Sequence, residues 1–587
     1  MRRRLRKGVH ILRREDAPAP ITEQSAVGIA RRFALRDEER LALEAGRARI
    51  AAIGVAFAVG FAVLLCRSVL VAVSPDSEVI VAAAADEVRR ADLVDRTGEI
   101  LATTLETHSL YADPREVWDV QETAQALAAV LPEVDPAVAA ERLGSRRSFV
   151  WLARNLTPTQ RQAVFSLGLP GLHFATEPRR VYPRGALAAH LLGATDLDGA
   201  GAAGLELGLN DAILDAGARG RPLPLSIDMR VQFALTDELR IGMEKFTAKA
   251  AAGIVMDVRT GEIIAMASLP DFDPNQSGDA SEDARLNRAA TAQYEMGSTF
   301  KTFTVAMALE EGVATLNSTY DVSQPLRVGR RTINDYHGLN RVITLRELFE
   351  ESSNIGAGKI ALDVGSERQR AFLERLGLLQ AAPGELPEIS DPIPPPQWGP
   401  VETVTISYGH GIAVSQLATV AAFAAIANGG NYVQPTFRVV PPGTELETRR
   451  VMSAGTAADM LRLLRLVVTD GTGSNAEVNG YRVAGKTGTA EKAVSGGYSS
   501  TRILSSFAAV FPFDDPRYVV HILYDEPNPT PETFGYRTAG WNAAPTVSAV
   551  IGRVAPMLGV ERREEPPAPP VPDTAPVVAA AYTEPGR

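Results

Sequence analysis

A serine and a lysine three residues apart form the first candidate catalytic pair. The segment Ser298-Thr299-Phe300-Lys301 opens an apolar stretch that predicts a buried helix ending at Gly312. A spacing of three on a helix places both side chains on one face, with Cβ atoms about 5–6 Å apart. A serine hydroxyl is a weak nucleophile until a base takes its proton, and a lysine whose pKa is lowered can be that base. The alternative is a helix-capping serine beside a solvated lysine.

The segment Ser352-Ser353-Asn354 is the second candidate. It lies between two helical stretches, and taken alone it is most simply another helix N-cap. A functional interpretation gives Ser352 a hydroxyl that relays a proton and Asn354 an amide that holds a substrate backbone.

The third candidate is Lys486-Thr487-Gly488-Thr489, which follows a strand-like alternation. Glycine at 485 and 488 in a strand predicts close approach of another backbone. A ligand peptide could add along such an edge, with Lys486 supplying positive charge and the threonine hydroxyls binding a carboxylate. The alternative is a glycine-rich turn with a surface lysine.

The three motifs occur once each, at 298, 352 and 486. In this order they form the signature of β-lactamases and penicillin-binding proteins, in which the identity of the acylation base is disputed. Each motif also has the expected context, namely a helix start, a loop and a strand. This agreement favours the joint functional interpretation over coincidence.

Composition excludes several other classes of protein. The 587 residues include 60 basic and 70 acidic side chains, and the net charge of −10 argues against a nucleic-acid-binding protein. One cysteine, Cys66, excludes a disulfide framework and multi-cysteine metal sites. The seven histidines include no HExxH pair, so a zincin-type metal site is not expected. Only seven of the basic residues are lysine. A protein can lower the pKa of a lysine enough to deprotonate it, whereas an arginine stays charged.

An uncharged run from Ile50 to Cys66 follows a basic N-terminal section and predicts a membrane anchor. Arg67 interrupts the apolar stretch and could snorkel to the interface. The basic flank should stay in the cytoplasm, which places the chain beyond about Ser74 outside it. A cleaved signal peptide and a buried core helix are the alternatives.

Beyond the anchor, the pattern predicts two folded regions and a tail. Residues 75–225 mix short strands and helices without a nucleophile beside an obvious base, which is typical of a support domain. From 226 onward, early strands, a helical middle and late strands predict a sheet covered by helices on both sides. A β-hairpin is expected around Arg259-Thr260-Gly261. The proline-rich residues after about 561 predict a disordered tail.

The sequence resembles the class B penicillin-binding proteins, specifically the division-specific peptidoglycan D,D-transpeptidases of the FtsI type. The elongation-type relatives are the nearest alternative. A fused glycosyltransferase domain of the class A kind is not expected, because the N-terminal section is too short and lacks its motifs. Besides the three motifs, the resemblance rests on RRADLVDRTGEILA from Arg89, RRVYPRG from Arg179, SYGHGIAVSQLATVAAFAAIANGG from Ser407, AGKTGTAEK from Ala484 and AGWNAAP from Ala539.

The resemblance implies a multi-domain α+β fold and a single-pass protein of the inner membrane. Its parts would be a cytoplasmic basic tail at 1–49, a transmembrane anchor at 50–73, a pedestal of the dimerisation type at 75–225, a transpeptidase domain with a central antiparallel sheet flanked by helices at 226–560, and a disordered tail at 561–587. The catalytic domain would be periplasmic.

The resemblance also assigns residue roles. Ser298 would be acylated, Lys301 would be its base, Ser352 would shuttle protons, and Asn354 would orient the donor peptide and Lys301. The terminal carboxylate would be held by Lys486, Thr487 and Thr489 along the strand that includes Gly488. The backbone N–H groups of Ser298 and Thr489 would form the oxyanion hole. No metal or organic cofactor would be needed.

The implied substrates are peptidoglycan stem peptides ending in D-alanyl-D-alanine, which β-lactams would mimic. The implied partners are divisome proteins, including a SEDS-family membrane glycosyltransferase. Two other functions remain open from the sequence. One is hydrolysis of the same acyl-enzyme by a D,D-carboxypeptidase or β-lactamase, and the other is a β-lactam sensor without turnover.

Overall fold

A computed structural model describes residues 51–67, 90–494 and 497–563. The chain separates into two compact units, Met1–Glu87 and Val88–Arg587. In the first unit, residues 51–67 form a helix in which every residue is exposed. Within the described ranges, no helix combines the length and apolar character that a membrane crossing requires. The remainder of the predicted anchor, the basic tail and residues 564–587 lie outside the described residues.

The second unit alternates strands and helices along its length. The strands are β1 Leu93–Val94, β2 Ile100–Ala112, β3 Val150–Leu156, β4 Leu172–Val181, β5 Ala194–Thr195, β6 Gly201–Ala203, β7 Leu223–Pro224, β8 Ala250–Asp257, β9 Ile263–Leu269, β10 Gln293–Tyr294, β11 Thr319–Asp321, β12 Leu326–Val328, β13 Arg331–Ile333, β14 Val342–Thr344, β15 Val414–Ser415, β16 Asn431–Val433, β17 Thr448–Arg450, β18 Ala484–Val494, β19 Gly497–Phe511 and β20 Tyr518–Asp525.

The helices are α1 Val120–Val130, α2 Pro136–Leu143, α3 Pro158–Ser166, α4 Ala189–Leu192, α5 Gly204–Gly208, α6 Asn210–Ala218, α7 Met229–Lys245, α8 Glu282–Arg285, α9 Lys301–Glu310, α10 Leu345–Glu350, α11 Asn354–Val364, α12 Ser366–Arg375, α13 Pro400–Ser407, α14 Gln416–Ala427, α15 Ala454–Thr469 and α16 Ala543–Met557. Short 3₁₀ turns supplement them, at Pro274–Asp279, Gly297–Phe300, Ser474–Ala476, Pro531–Thr533 and Ala539–Trp541.

One of the two five-stranded sheets is antiparallel throughout, with the strand order β18-β19-β20-β8-β9. The predicted hairpin at Arg259-Thr260-Gly261 is confirmed, because it joins β8 to β9. Its turn is closed by a hydrogen bond from Gly261 N to Asp257 O of 3.0 Å, and Gly261 has a φ of +79° that glycine tolerates.

Helices cover both faces of this sheet, as the sequence pattern predicted. Successive residues of β8 point to opposite faces, so Val255 joins one buried cluster with α7 and α16 while Ile254 joins the other with α9, α14 and α15. All eight residues of β8 are buried, which explains why its sequence reads as a continuous apolar run. The α+β fold with a central antiparallel sheet is therefore confirmed.

The region predicted to be a support domain contains a second sheet, in which β2 lies between β3 and β4. A separate core, including Leu110, Leu127 and Leu143, forms where α1 and α2 pack beside this sheet. Asp95 shapes the turn before β2, since its carboxylate accepts hydrogen bonds from the backbone N–H groups of Thr97 and Glu99 at 2.8 and 2.9 Å. This turn joins β1 to β2, which pair with each other.

The start of this second sheet shares the main hydrophobic core with the sheet that contains β8, since Leu93 and Leu101 belong to the same cluster as α9 and α14. A buried ion-pair network lies in this region. Glu206 is fully buried and is paired with Arg90 and Arg180, each at 2.6 Å. Breaking such a network would leave an uncompensated buried charge, so it holds three distant segments together.

Candidate active site

Ser298 lies on the 3₁₀ turn that leads directly into α9. Gly297 enters this turn with a φ of +53°, and its N–H donates to Gly409 O at 3.3 Å. Residues on both sides of Ser298 are buried, whereas Ser298 itself is half-buried. The turn therefore presents one hydroxyl at the N-terminal end of a packed helix, where the helix dipole favours developing negative charge.

Lys301 is fully buried, and its Nζ lies 3.0 Å from Ser298 Oγ. The same Nζ lies 3.0 Å from Ser352 Oγ and also donates to the backbone carbonyl of Ser352. The spacing inferred from the sequence therefore brings the two side chains together. Lys301 is not on a solvated face.

The loop Ser352-Ser353-Asn354 joins α10 to α11, as the sequence predicted. Ser352 has a φ of +60°, an uncommon conformation for a serine and one that clusters at functional sites. Ser353 is the N-cap of α11 and accepts a hydrogen bond from Gly356 N at 3.0 Å. The capping role expected of this motif thus belongs to Ser353, which leaves Ser352 free to point toward Lys301.

Asn354 is the first residue of α11, and its side-chain amide donates to Asn334 O at 3.1 Å. No hydrogen bond links it to Lys301 in the described part of the chain. A role for Asn354 in orienting Lys301 or a donor peptide stays a prediction.

Lys486 lies on β18, the edge strand of the catalytic sheet, and is fully buried. Its Nζ lies 3.0 Å from Ser352 Oγ and 5.8 Å from the centre of the Phe349 ring. The Ser352 hydroxyl therefore contacts both buried lysines. Three motifs that are far apart in sequence meet at this one oxygen atom.

The neighbouring residues of β18 have defined partners. Thr487 Oγ1 lies 2.8 Å from Thr472 Oγ1, and Thr489 Oγ1 accepts from Ala539 N at 3.3 Å. Gly488 has no space for a side chain, since a Cβ atom there would lie 2.8 Å from the carbonyl oxygen of Met296. The predicted close approach of another backbone is confirmed at this glycine, and it sets the strand against the turn that carries the nucleophile.

Burial is the main cause of the lowered pKa values of the two lysines. It lowers the pKa of Lys301 well below the ordinary lysine value, the charge of Lys486 lowers it further, and Asp335 acts in the opposite direction. Burial also lowers the pKa of Lys486, to about 7. Two ammonium groups so close together disfavour each other's charge, so one neutral amine beside Ser298 is the expected resting state.

This arrangement can activate a nucleophile. A neutral amine 3.0 Å from a half-exposed hydroxyl can accept its proton, and a second lysine provides positive charge beside an unpaired strand edge. The extended edge suits a peptide that ends in a carboxylate.

Sequence reasoning missed Asp335, the residue that holds the serine loop in place. Its carboxylate accepts from Ser353 Oγ at 2.7 Å, from Asn354 N at 2.5 Å and from Ile355 N at 3.0 Å. It follows β13 and lies 17 residues before Ser352, so no local pattern connects the two. Thr472, the partner of Thr487, was also missed and carries no motif of its own.

Comparison with known proteins agrees with this geometry. The family model described as the penicillin binding protein transpeptidase domain matches residues 251–551, and that of the penicillin-binding protein dimerisation domain matches residues 85–203. The probable peptidoglycan D,D-transpeptidase FtsI of Caulobacter vibrioides is 48% identical over 488 residues, covering 81% of this chain and 82% of the relative. The peptidoglycan D,D-transpeptidase FtsI of Escherichia coli is 30% identical over 503 residues, covering 80% of this chain and 84% of the relative.

A solved structure is similar over almost its whole length. This structure is penicillin binding protein 3 of Mycobacterium tuberculosis, complexed with aztreonam, with a TM-score of 0.63 and 26% sequence identity. The match covers 81% of this chain and 97% of the solved one. The matched region of this chain includes all three motifs that converge on Ser352. On these grounds the chain belongs to the penicillin-binding protein transpeptidase family, in its class B branch.

Proposed function

We propose that the protein is a serine D,D-transpeptidase that cross-links peptidoglycan stem peptides at the division septum. The observation that carries this proposal is the contact chain from Ser298 through Lys301 and Ser352 to Lys486, each step 3.0 Å long. The similarity to proteins named FtsI supports the division-specific assignment over the elongation-type alternative.

In the first half-reaction, the donor stem lies along β18 with its terminal carboxylate at Lys486, Thr487 and Thr489. Ser298 Oγ attacks the carbonyl carbon between the two terminal D-alanines while Lys301 takes the hydroxyl proton. The C–N bond then breaks, and the leaving D-alanine amine receives a proton through Ser352. The products are free D-alanine and an ester on Ser298. Backbone N–H groups of Ser298 and Thr489 stabilise the oxyanion.

In the second half-reaction, the amine of a neighbouring stem attacks the ester carbonyl carbon. A C–N bond forms, the C–O bond to Ser298 breaks, and the serine hydroxyl is regenerated. Because both half-reactions use only a nucleophile, a base and oxyanion donors, the chemistry requires no metal or organic cofactor. A β-lactam that mimics the donor would remain on Ser298 as a stable ester.

We also propose the surrounding organisation. Residues 50–73 anchor the protein in the inner membrane, with 1–49 in the cytoplasm and the pedestal at 75–225 raising the catalytic domain at 226–560 in the periplasm. Divisome proteins and a SEDS-family glycosyltransferase are the proposed partners of the anchor and pedestal. The basic flank and uncharged run support the orientation.

A donor thioester tests this proposal against its alternatives. The detergent-solubilised full-length protein is incubated with the thioester and a D-amino acid, and the products are separated. Transpeptidation predicts formation of the new peptide bond. Hydrolysis without aminolysis would indicate a carboxypeptidase or β-lactamase. Acylation without turnover would indicate a sensor.

A further inference from the structure

Glu295 lies three residues before Ser298 and has an incompletely satisfied carboxylate. Its Oε1 accepts hydrogen bonds from Gly411 N at 2.8 Å and from the Tyr498 hydroxyl at 3.0 Å. Its Oε2 is buried and has no hydrogen-bond partner in the described part of the chain. A buried carboxylate oxygen without a donor is costly, and in a native protein it indicates a missing ligand or a functional constraint.

The residues around Glu295 do not neutralise it. Tyr498 stacks on His410 with ring centres 5.1 Å apart, and the Tyr408 ring lies 5.4 Å from that of His410. Burial, with a smaller contribution from the charge of Lys301, lowers the pKa of His410 to about 4. The histidine is therefore neutral near neutral pH and supplies no countercharge to Glu295.

No countercharge pairs with this carboxylate among the described residues. Its hydrogen-bond donors there are the Gly411 N–H and the Tyr498 hydroxyl, both of which are uncharged. Burial raises the pKa of Tyr408 and Tyr498, and the charge of Arg331 acts in the opposite direction on both. Burial likewise raises the pKa of Glu295, against the hydrogen bonds from Gly411 and Tyr498. The carboxylate is thus a better proton acceptor than an exposed glutamate.

The second half-reaction needs such a group. An acceptor amine arrives as an ammonium ion and must lose one proton before its lone pair can attack an ester. Lys301 serves the Ser298 hydroxyl, and Lys486 would repel a cation. Glu295 is the anionic side chain next to the nucleophile turn, and the contact between Gly297 N and Gly409 O joins that turn to the loop that holds Glu295.

We propose that Glu295 binds the acceptor's ammonium group at Oε2 and takes its first proton. This inference rests on the proposed transpeptidase function. The neutral nitrogen forms a C–N bond with the acyl carbon, and the C–O bond to Ser298 breaks. The second amine proton passes through Lys301 to Ser298 Oγ, and Glu295 then releases its proton to water. Tyr498, the exposed member of the group, holds Oε1 throughout.

Glu295→Gln tests the assignment while preserving shape, because an amide oxygen can still accept from Gly411 and Tyr498. In full-length protein acylated by a thioester donor, aminolysis by D-alanine should fall about a hundredfold, the usual contribution of a general base. Acylation by fluorescent penicillin should stay close to wild type. Hydroxylamine, which is uncharged near neutral pH, should restore aminolysis because it needs no first deprotonation.

Glu491→Gln is the matched control, since it removes an exposed carboxylate from the adjacent strand β18. It should leave aminolysis unchanged. Wild-type aminolysis in Glu295→Gln would overturn the inference, as would equal losses of acylation and aminolysis, which would assign Glu295 a structural role at the nucleophile turn. Absence of acylation in the wild-type protein would instead contradict the proposed function itself.

Discussion

Lys301 and Lys486 approach the same hydroxyl from two different elements. Each Nζ lies 3.0 Å from Ser352 Oγ, one from the start of α9 and the other from the edge strand β18. Both side chains are fully buried. Because two buried ammonium ions at one oxygen are unfavourable, the site favours one neutral and one charged lysine. The proposed division of labour is that Lys301 takes a proton and Lys486 holds a carboxylate.

Removing the amine of Lys301 tests the first role. Lys301→Met keeps a long unbranched side chain but has no proton acceptor, so the acylation rate with fluorescent penicillin should fall by about 10²–10⁴. Thermal stability should not fall, since the change removes a desolvated amine from the interior. Lys245→Met, at an exposed position, is the control and should acylate normally. An unchanged rate in Lys301→Met would rule out Lys301 as the base.

The charge of Lys486 predicts a pH dependence of donor binding. Its pKa of about 7 in the free enzyme means that it loses its proton as the pH rises above that value. A carboxylate binds the protonated form, so donor affinity should fall by up to about tenfold per pH unit above the pKa. Binding is measured in Ser298→Ala, which cannot be acylated. A donor amidated at its C-terminus should show no such loss, and equal pH profiles for the two donors would contradict the assignment.

Asp335 should affect the pKa of Lys301 through its charge, without a direct contact. The carboxylate raises the pKa of Lys301 by its charge, and it also holds the loop after α10. Asp335→Asn keeps an oxygen acceptor for the Asn354 N–H but removes the charge, so the pKa of Lys301 should fall further. The acid limb of the acylation rate should then move to lower pH. A shift to higher pH, or no shift in a variant of normal stability, would disprove this electrostatic link.

Gly488 should not tolerate a side chain. A Cβ atom there would meet the hydroxyls of Thr299 and Ser506 as well as Met296 O, so Gly488→Ala must push β18 away from the nucleophile turn. We expect a loss of about 1–3 kcal/mol in unfolding free energy together with slow acylation. Gly552→Ala, in the open middle of α16, is the matched substitution and should stabilise by about 0.5–1 kcal/mol. Normal acylation in Gly488→Ala would show that the close approach is not needed.

The parts of the molecule that depend on local pattern were predictable from sequence. The pair Ser298 and Lys301 is set by helix geometry, and the β8–β9 hairpin is set by its turn residues and apolar flanks. The close approach at Gly488 was also predicted correctly, because a glycine in a strand indicates a position with no space for a side chain.

Other parts depend on long-range packing, which a single sequence does not contain. Ser352 lies 51 residues from Lys301 and 134 from Lys486, and only the folded core brings the three together. Asp335 and Glu295 both accept hydrogen bonds from backbone N–H groups. Such contacts do not depend on the type of the donor residue, so they produce no sequence motif. The positive φ of Ser352 could not be predicted either, because serine has no special preference for that conformation.

Mapping the acylated residue tests the central claim most directly. Full-length protein is labelled with fluorescent penicillin and digested, and the modified peptide is identified by mass spectrometry. A single adduct on Ser298, absent from Ser298→Ala, is the predicted result. An adduct on another side chain, or an unlabelled protein of native stability, would contradict the account.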